Sequence, residues 1–449
     1  MTSDEVLRRP SYGSSSRIVG ARGVQTRRQI LAVALEQFGE RSLHDVSVDD
    51  LARAAGVSRA TLYQYFESKD GVFAELLEEC GAALMRLIRR LGPLGPTAEG
   101  FDNLHWWLGE WAWVYDRYAT MFAQWEHLQT ADTTFRPMVT GFVDAYAGRI
   151  AERLAAAGFA GIDGVDTAAA ILLVVHRSNY LRHTGRTGSP SAEVMSDGLA
   201  VVLQLVLFPD TPADVLAGQG SRDAPPPESW TAAAPSVQAP SGRVERLGPR
   251  AQATVRALLD SAARIFAARG FAGANVDAVA AGAGVARATL YKYFTDKADV
   301  LAALAEEARD DVVALAGRFG DSVHAGAELR VWLHELIGLS RRHAGVLRVW
   351  VERHSDDPRV QLLGDEVRHA TRSAIARVLT GISRPYPLDL HVAGLVLVAV
   401  LERIPTGLPQ QSRAVSDTEI VETMAAFIER GLLGRTPLAA SADRRTAAS

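Results

Sequence analysis

Two short stretches hold the residue types that read nucleic acid. Gly56 to Asp70 runs GVSRATLYQYFESKD, and Gly284 to Ala298 runs GVARATLYKYFTDKA. In the first, Arg59, Ala60, Thr61, Tyr63 and Gln64 offer the groups that meet base edges. A guanidinium forks onto guanine, a carboxamide onto adenine, and an alanine or threonine methyl meets the methyl of thymine. Tyr63, Tyr65 and Lys69 carry hydroxyl and ammonium donors suited to phosphate, which sets register and not sequence. The second stretch keeps Arg287, Ala288, Thr289, Tyr291, Tyr293 and Lys297, while Lys292 replaces Gln64 and Ala286 replaces Ser58. The half-sites read by the two stretches are therefore expected to differ.

Such residues work only on a short helix that other helices hold in place. Ile30, Ala34 and Phe38 fall at helical spacing within Gln25 to Glu40, giving a first helix with one apolar face. Ser47 stands three residues before Asp50 and is placed to cap a short helix over Val48 to Ala55. Gly56 suits a left-handed end to that helix. Ser58 caps the next, Arg59 to Phe66, whose Leu62 and Phe66 lie four residues apart and anchor it inward. A tight turn between two short helices is helix-turn-helix geometry, and the second helix of such a pair can enter the major groove. Core packing alone accounts for a Leu and Phe at that spacing, and helix-turn-helix pairs also occur in domains that touch no DNA. Packing does not, however, require the outward Arg, Thr, Tyr and Lys to recur. In the second copy Asn275 takes the place of Ser47. Loss of the Ser58 hydroxyl at Ala286 is expected to cost about 1 kcal/mol, and Gly282 to weaken the preceding helix further.

The match extends beyond the two stretches. At the same spacing Arg28 pairs with Arg256, Phe38 with Phe266, Val48 with Val276 and Asp49 with Asp277; further on, WLGE from Trp107 resembles WLHE from Trp332. The chain of 449 residues therefore reads as two divergent copies of one domain of about 190 residues. Pro, Gly, Ala and Ser dominate the segment between them, which need not fold. Helix formers prevail and strand alternation is scarce, so the fold class expected is all-α.

Hydrophobic residues make up 48% of the chain, enough for packed cores, and the net charge of −4 gives no general affinity for nucleic acid. Basic residues gather instead before each copy, at Arg8 to Arg28 and at Arg243 to Arg256. The one cysteine, Cys80, forms no internal disulfide and fits a reducing cytoplasm. No apolar run reaches the about 20 residues of a membrane helix, so no membrane partner is expected.

Trp107, Trp111 and Tyr115 form one helical stripe that Tyr118 and Phe122 extend. An aromatic core stripe explains it; the wall of a pocket for a flat or lipidic ligand is the other reading. The apolar helices around Leu173 and Leu397 suggest that the two copies pack on one another within the chain.

The opening helix, VSVDDLARAAGVSRATLYQYFESKD and its second copy NVDAVAAGAGVARATLYKYFTDKA resemble the TetR family of transcriptional regulators. The resemblance covers about 50 residues in each copy. It implies a DNA-binding head followed by a helical ligand-binding and dimerisation bundle, here twice. Most family members are homodimers with one such motif per chain, and this layout resembles a rarer actinobacterial two-domain type. The implied plan is a disordered basic arm (1–22), a first helix-turn-helix domain (23–70), a first helical bundle (71–208), a linker (209–246), a second helix-turn-helix domain (247–298), a second bundle (299–435) and a disordered tail (436–449). Carried over, the base-reading residues are Arg59, Ala60, Thr61, Tyr63 and Gln64, with Ser47 and Lys69 on phosphates. Their counterparts are Arg287, Ala288, Thr289, Tyr291, Lys292, Asn275 and Lys297. The partners implied are a double-stranded DNA operator and a small hydrophobic effector, with the two repeats forming an intramolecular pseudo-dimer open to further homo-oligomerisation.

Enzyme readings find little. AGAGVA lacks the third glycine and the preceding strand of a dinucleotide loop. His176 and His183 lack carboxylates at ligand spacing, and no nucleophile and base stand out. No cofactor, metal or catalytic residue is expected.

Overall fold

The computed structural model describes residues 21–41, 43, 45–123, 135–159, 163–185, 188–217, 223–232, 247–352, 355, 357–410 and 414–434. The basic arm up to residue 20, the tail from 436 and linker residues 218–222 and 233–246 lie outside the described residues. Helices make up 80% of the structure, and no strand occurs among the described residues.

The chain packs as two units, residues 1–91 with 109–149 and residues 92–108 with 150–449. The first begins with α1 (Ala21–Glu40), α2 (Val48–Ala54), α3 (Arg59–Tyr65) and α4 (Lys69–Arg90). It continues through the later turns of α5 (Ala98–Arg117), α6 (Ala119–Ala123) and the first turns of α7 (Arg136–Ala156). Ile30, Ala34 and Phe38 of α1 are buried as their spacing predicts. Phe38 meets Phe73 of α4 edge-on at 5.5 Å, and Phe73 meets Phe135 at 5.2 Å. Arg27 of α1 pairs with Glu75 of α4, and Thr120 donates to the Leu35 carbonyl at 3.2 Å.

The second unit joins the last helices of the first repeat to the whole second repeat. From the first repeat come α8 (Gly164–Thr184) and α9 (Ala192–Leu207). From the second come α10 (Pro249–Gly273), α11 (Val276–Gly282), α12 (Arg287–Tyr293), α13 (Lys297–Gly317), α14 (Gly326–Arg342), α15 (Ala344–Glu352) and α16 (Pro358–Thr380). α17 (Leu390–Gly407) and α18 (Asp417–Ala426) follow, the latter running into a π-turn over Phe427–Leu432. Division into units thus cuts across the repeat. The cause is that α9 and α17 are apolar on nearly every side, and such helices need neighbours all round.

α8 lies along α17, and α9 against α17 and the π-turn. Arg177 of α8, itself buried, donates to Glu402 of α17 from Nε at 2.8 Å and Nη2 at 2.7 Å. The helix starts repeat as well. Asp163 caps α8 by accepting from the amides of Val165 and Asp166, and Asp389 caps α17 from those of His391 and Val392. Ser191 and Ser416 cap α9 and α18 in the same way. α17 is long and apolar enough to cross a bilayer, more than its unbroken apolar run suggested, yet 72% of it is buried in this bundle.

The linker need not fold by its composition, yet residues 223–232 are docked on the second repeat. Leu390 donates its amide to the Ala224 carbonyl at 2.8 Å, and Leu388 donates to Asp223 at 3.0 Å. Trp230, on one helical turn over Glu228–Thr231, is buried between α16 and α17. Its ring meets His391 edge-on at 5.5 Å, the Arg372 guanidinium lies over it at 5.5 Å, and its carbonyl accepts from Ser373 at 2.7 Å. A Cβ on Gly394 would overlap the ring, so the slot exists because that residue is glycine.

Candidate nucleic-acid interface

Each unit holds one helix-turn-helix head, and the two are built alike. Ser47 accepts from the Asp50 amide at 3.1 Å, while the Asp50 carboxylate accepts from the Ser47 hydroxyl at 2.7 Å and its amide at 3.1 Å. This capping box fixes the start of α2. The bond from the Ser47 hydroxyl, with that from its amide, holds the Asp50 carboxyl below its ordinary value. In the second head Asn275 caps α11 by accepting from the Ala278 amide at 2.7 Å.

The turn is the same in both heads. Gly56 has φ 65° and Gly284 φ 69°, the left-handed conformation that a glycine adopts without strain. Val57 then donates to the Ala52 carbonyl at 3.0 Å and Val285 to that of Ala280 at 3.0 Å. Gly282 has a further reason to be glycine. Ser261 of α10 donates to the Val279 carbonyl at 2.8 Å, and a Cβ at position 282 would overlap its hydroxyl. Beyond its expected cost to the helix, Gly282 thus lets α10 and α11 close on one another.

Ser58 caps α3, accepting from the Thr61 amide at 3.0 Å. Ala286 offers no such oxygen, and the Thr289 amide turns instead to the Ala286 carbonyl at 2.8 Å. A tightened first turn thus takes over part of the missing cap. Leu62 and Phe66, with Leu290 and Phe294, anchor the two helices in their cores. Arg59, Ala60, Tyr63 and Gln64 are exposed, with Thr61 and Tyr65 half-buried; Arg287, Ala288, Tyr291, Lys292, Thr289 and Tyr293 repeat that order position by position.

One cluster escaped the sequence reading. Arg59 donates from Nη1 to both Asp49 oxygens, at 3.1 and 3.3 Å, and from Nη2 to the Tyr63 hydroxyl at 3.4 Å. Arg287 does the same with Asp277, at 3.1 Å to both, and Tyr291, at 3.2 Å. In each head the guanidinium also lies over the tyrosine ring, at 5.6 and 5.5 Å. The bond to the tyrosine, then the aspartate charge, raises the pKa of each arginine. Both copies hold Asp ten residues before Arg and Tyr four after, a signal visible once helices α2 and α3 are known to touch.

The lysines expected on phosphates also bond within their own heads. Lys69 donates to the carbonyls of Leu43 at 2.8 Å and Val46 at 3.1 Å. Lys297 donates to those of Phe271, Ala272 and Ala274 at 3.0, 3.3 and 3.2 Å. An ammonium has three donors, and those of Lys297 all face carbonyls. Each ammonium thus ties the exit of the first helix of its head, α1 or α10, to the start of the fourth, α4 or α13. Arg28 is exposed on α1, whereas its counterpart Arg256 is paired with Glu307 at 2.8 Å and Asp260 at 3.0 Å.

Trp111, Tyr115, Tyr118 and Phe122 are buried in the first unit, and Trp107 is buried in the second. Tyr115 stacks on Phe122 at 4.6 Å and Trp111 packs on Phe122 at 5.3 Å, the packing of an aromatic core. Among the described residues the buried Trp111 Nε1 has no hydrogen-bond partner, while the Nε1 of Trp332 and Trp350 reach carbonyls at 2.9 Å.

Residues 30–76 and 258–304 match the family described as bacterial regulatory proteins, tetR family. The chain is 32% identical over 71 residues to the uncharacterized HTH-type transcriptional regulator YdgC of Bacillus subtilis, covering 16% of this chain and 36% of that protein. It is 53% identical over 49 residues to the HTH-type transcriptional regulator EthR of Mycobacterium tuberculosis, covering 11% and 23%. The chain thus spans about a third or less of the length of these curated relatives. A tetR-family regulator from Streptomyces coelicolor of known structure aligns at 20% identity and a TM-score of 0.33, over 42% of this chain and 82% of that one.

Proposed function

Because this chain carries two TetR-family domains, we propose that it is a ligand-responsive DNA-binding transcriptional regulator, acting as a repressor through both heads on a two-part operator. The observation that carries the reading is the recurrence, in α12, of the outward residues and exposures of α3. An aromatic core or a scaffold would not constrain Arg59, Thr61 and Tyr63 to return as Arg287, Thr289 and Tyr291. The matched caps on α8 and α17, and the Arg177–Glu402 pair between them, support an intramolecular pseudo-dimer. A small hydrophobic effector would act within the aromatic set, where the unpaired Trp111 Nε1 supplies a donor. It would alter the spacing of heads that must meet successive major grooves about 34 Å apart. Such a regulator works in the cytoplasm.

A second reading keeps DNA contact for the first head and makes the second a scaffold; the missing side-chain cap at Ala286 favours it. Footprinting the full chain on its own upstream DNA, beside Tyr63→Ala and Tyr291→Ala, separates the two. Loss of protection over a different half for each variant supports the two-headed regulator. Protection that ignores Tyr291→Ala supports the scaffold reading, and no specific protection by the wild type refutes both.

A further inference from the structure

We propose that a single exposed position, Gln64 in the first head and Lys292 in the second, sets the difference in base preference between the two half-sites. The inference rests on the two-headed reading and names what each head reads. From Arg59 to Phe66 and from Arg287 to Phe294 the sequences differ only here. Side chains that share type, exposure and partners present the same face to a groove. Arg59 and Arg287 are held by the same aspartate and tyrosine, with distances agreeing to within about 0.2 Å. Ala60 with Ala288 and Tyr63 with Tyr291 are exposed alike, Thr61 and Thr289 half-buried alike.

The preceding helices α2 and α11 also differ, at Asp50/Ala278, Leu51/Val279, Arg53/Ala281 and Ala54/Gly282, but these lie outside the helix placed to read bases. The other differences lie at helix ends. Ser47 and Asn275 both turn their oxygen to their own helix, and the change from Ser58 to Ala286 is met by a backbone bond. Groups at helix N-termini reach backbone phosphate and alter affinity for all sequences alike. Gln64 and Lys292 are exposed in the last turn of the recognition helix, next to the exposed Tyr63 and Tyr291. A carboxamide donates to and accepts from adenine, whereas an ammonium, a donor only, suits the paired acceptors of guanine. The operator is thus two near-identical halves, with adenine facing Gln64 in one and guanine facing Lys292 in the other.

Selection from a random duplex library by the purified full-length chain tests this, repeated with Gln64→Lys and Lys292→Gln. Both positions are exposed, so both variants should keep the wild-type circular dichroism and melting. The wild type should select halves that differ at one base pair. Gln64→Lys should convert adenine to guanine and make the site symmetric; Lys292→Gln should do the reverse. Each variant should bind the wild-type site roughly 5- to 150-fold more weakly and its own selected site at wild-type strength. Identical wild-type halves, or a preference that either substitution leaves unmoved, would overturn the inference while leaving DNA binding intact. A library from which the wild type enriches nothing would remove the underlying reading as well.

Discussion

Lys297 and Lys69, expected on phosphates, also hold together the heads that carry them. A lysine beside an outward helix suggests phosphate, but its stem lets the ammonium reach carbonyls 23 to 26 residues away. Lys297→Met should therefore destabilise the second head by about 1.5–3 kcal/mol, seen in its denaturant midpoint, while leaving the salt dependence of DNA binding unchanged. Ala286→Ser should restore a side-chain cap and stabilise the same head by at most about 1 kcal/mol, since the Thr289 amide is already partly satisfied. Asp50 supplies a pH test. Its folded pKa lies below the ordinary 3.8, so its cap stabilises fully above that value and is lost as pH falls through the lower, folded one. Acid unfolding of the wild type and Asp50→Asn should converge over that window, measured by circular dichroism. Cys80, whose thiol burial pushes up to about 12, should resist thiol reagents until its helix unfolds.

Elements were legible where their signals are local. The caps Ser47 and Ser58, the left-handed Gly56 and the anchors Leu62 and Phe66 act within a few residues, and all fall where the spacing places them. What stayed hidden depends on partners far along the chain. Gly282 owes its place to Ser261, the lysines to distant carbonyls, and Trp230 to a glycine more than 160 positions on. A tryptophan amid Pro and Ala carries no periodicity, so only the packed helices reveal its slot. Gly394→Ala should expel that ring and speed proteolysis of the segment around Trp230, to a rate matched by Trp230→Ala. Between α8 and α17, Arg177→Met should cost about 1–3 kcal/mol, less than the about 3–5 of a fully buried pair because Glu402 keeps 29% exposure.

At the level of the whole molecule, net charge and proposed partner point in opposite directions. A chain of −4 would approach such a partner against its overall sign, so the attraction would have to come from the heads and the basic residues preceding them. If both engage, with about six or more phosphates between them, affinity should fall about 1,000-fold or more from 50 to 200 mM salt, and much less for one head. A filter-binding titration at several salt concentrations measures that slope. The docked linker carries a different consequence. Residues 223–231 are stitched to the second repeat at both ends, by bonds at Asp223 and Ala224 and by the ring and carbonyl of Trp230. In a gene assembled from two joined copies, the seam is thereby a folded part with a fixed length. Insertions or deletions between those stitches would pull one of them out, and selection should purge them.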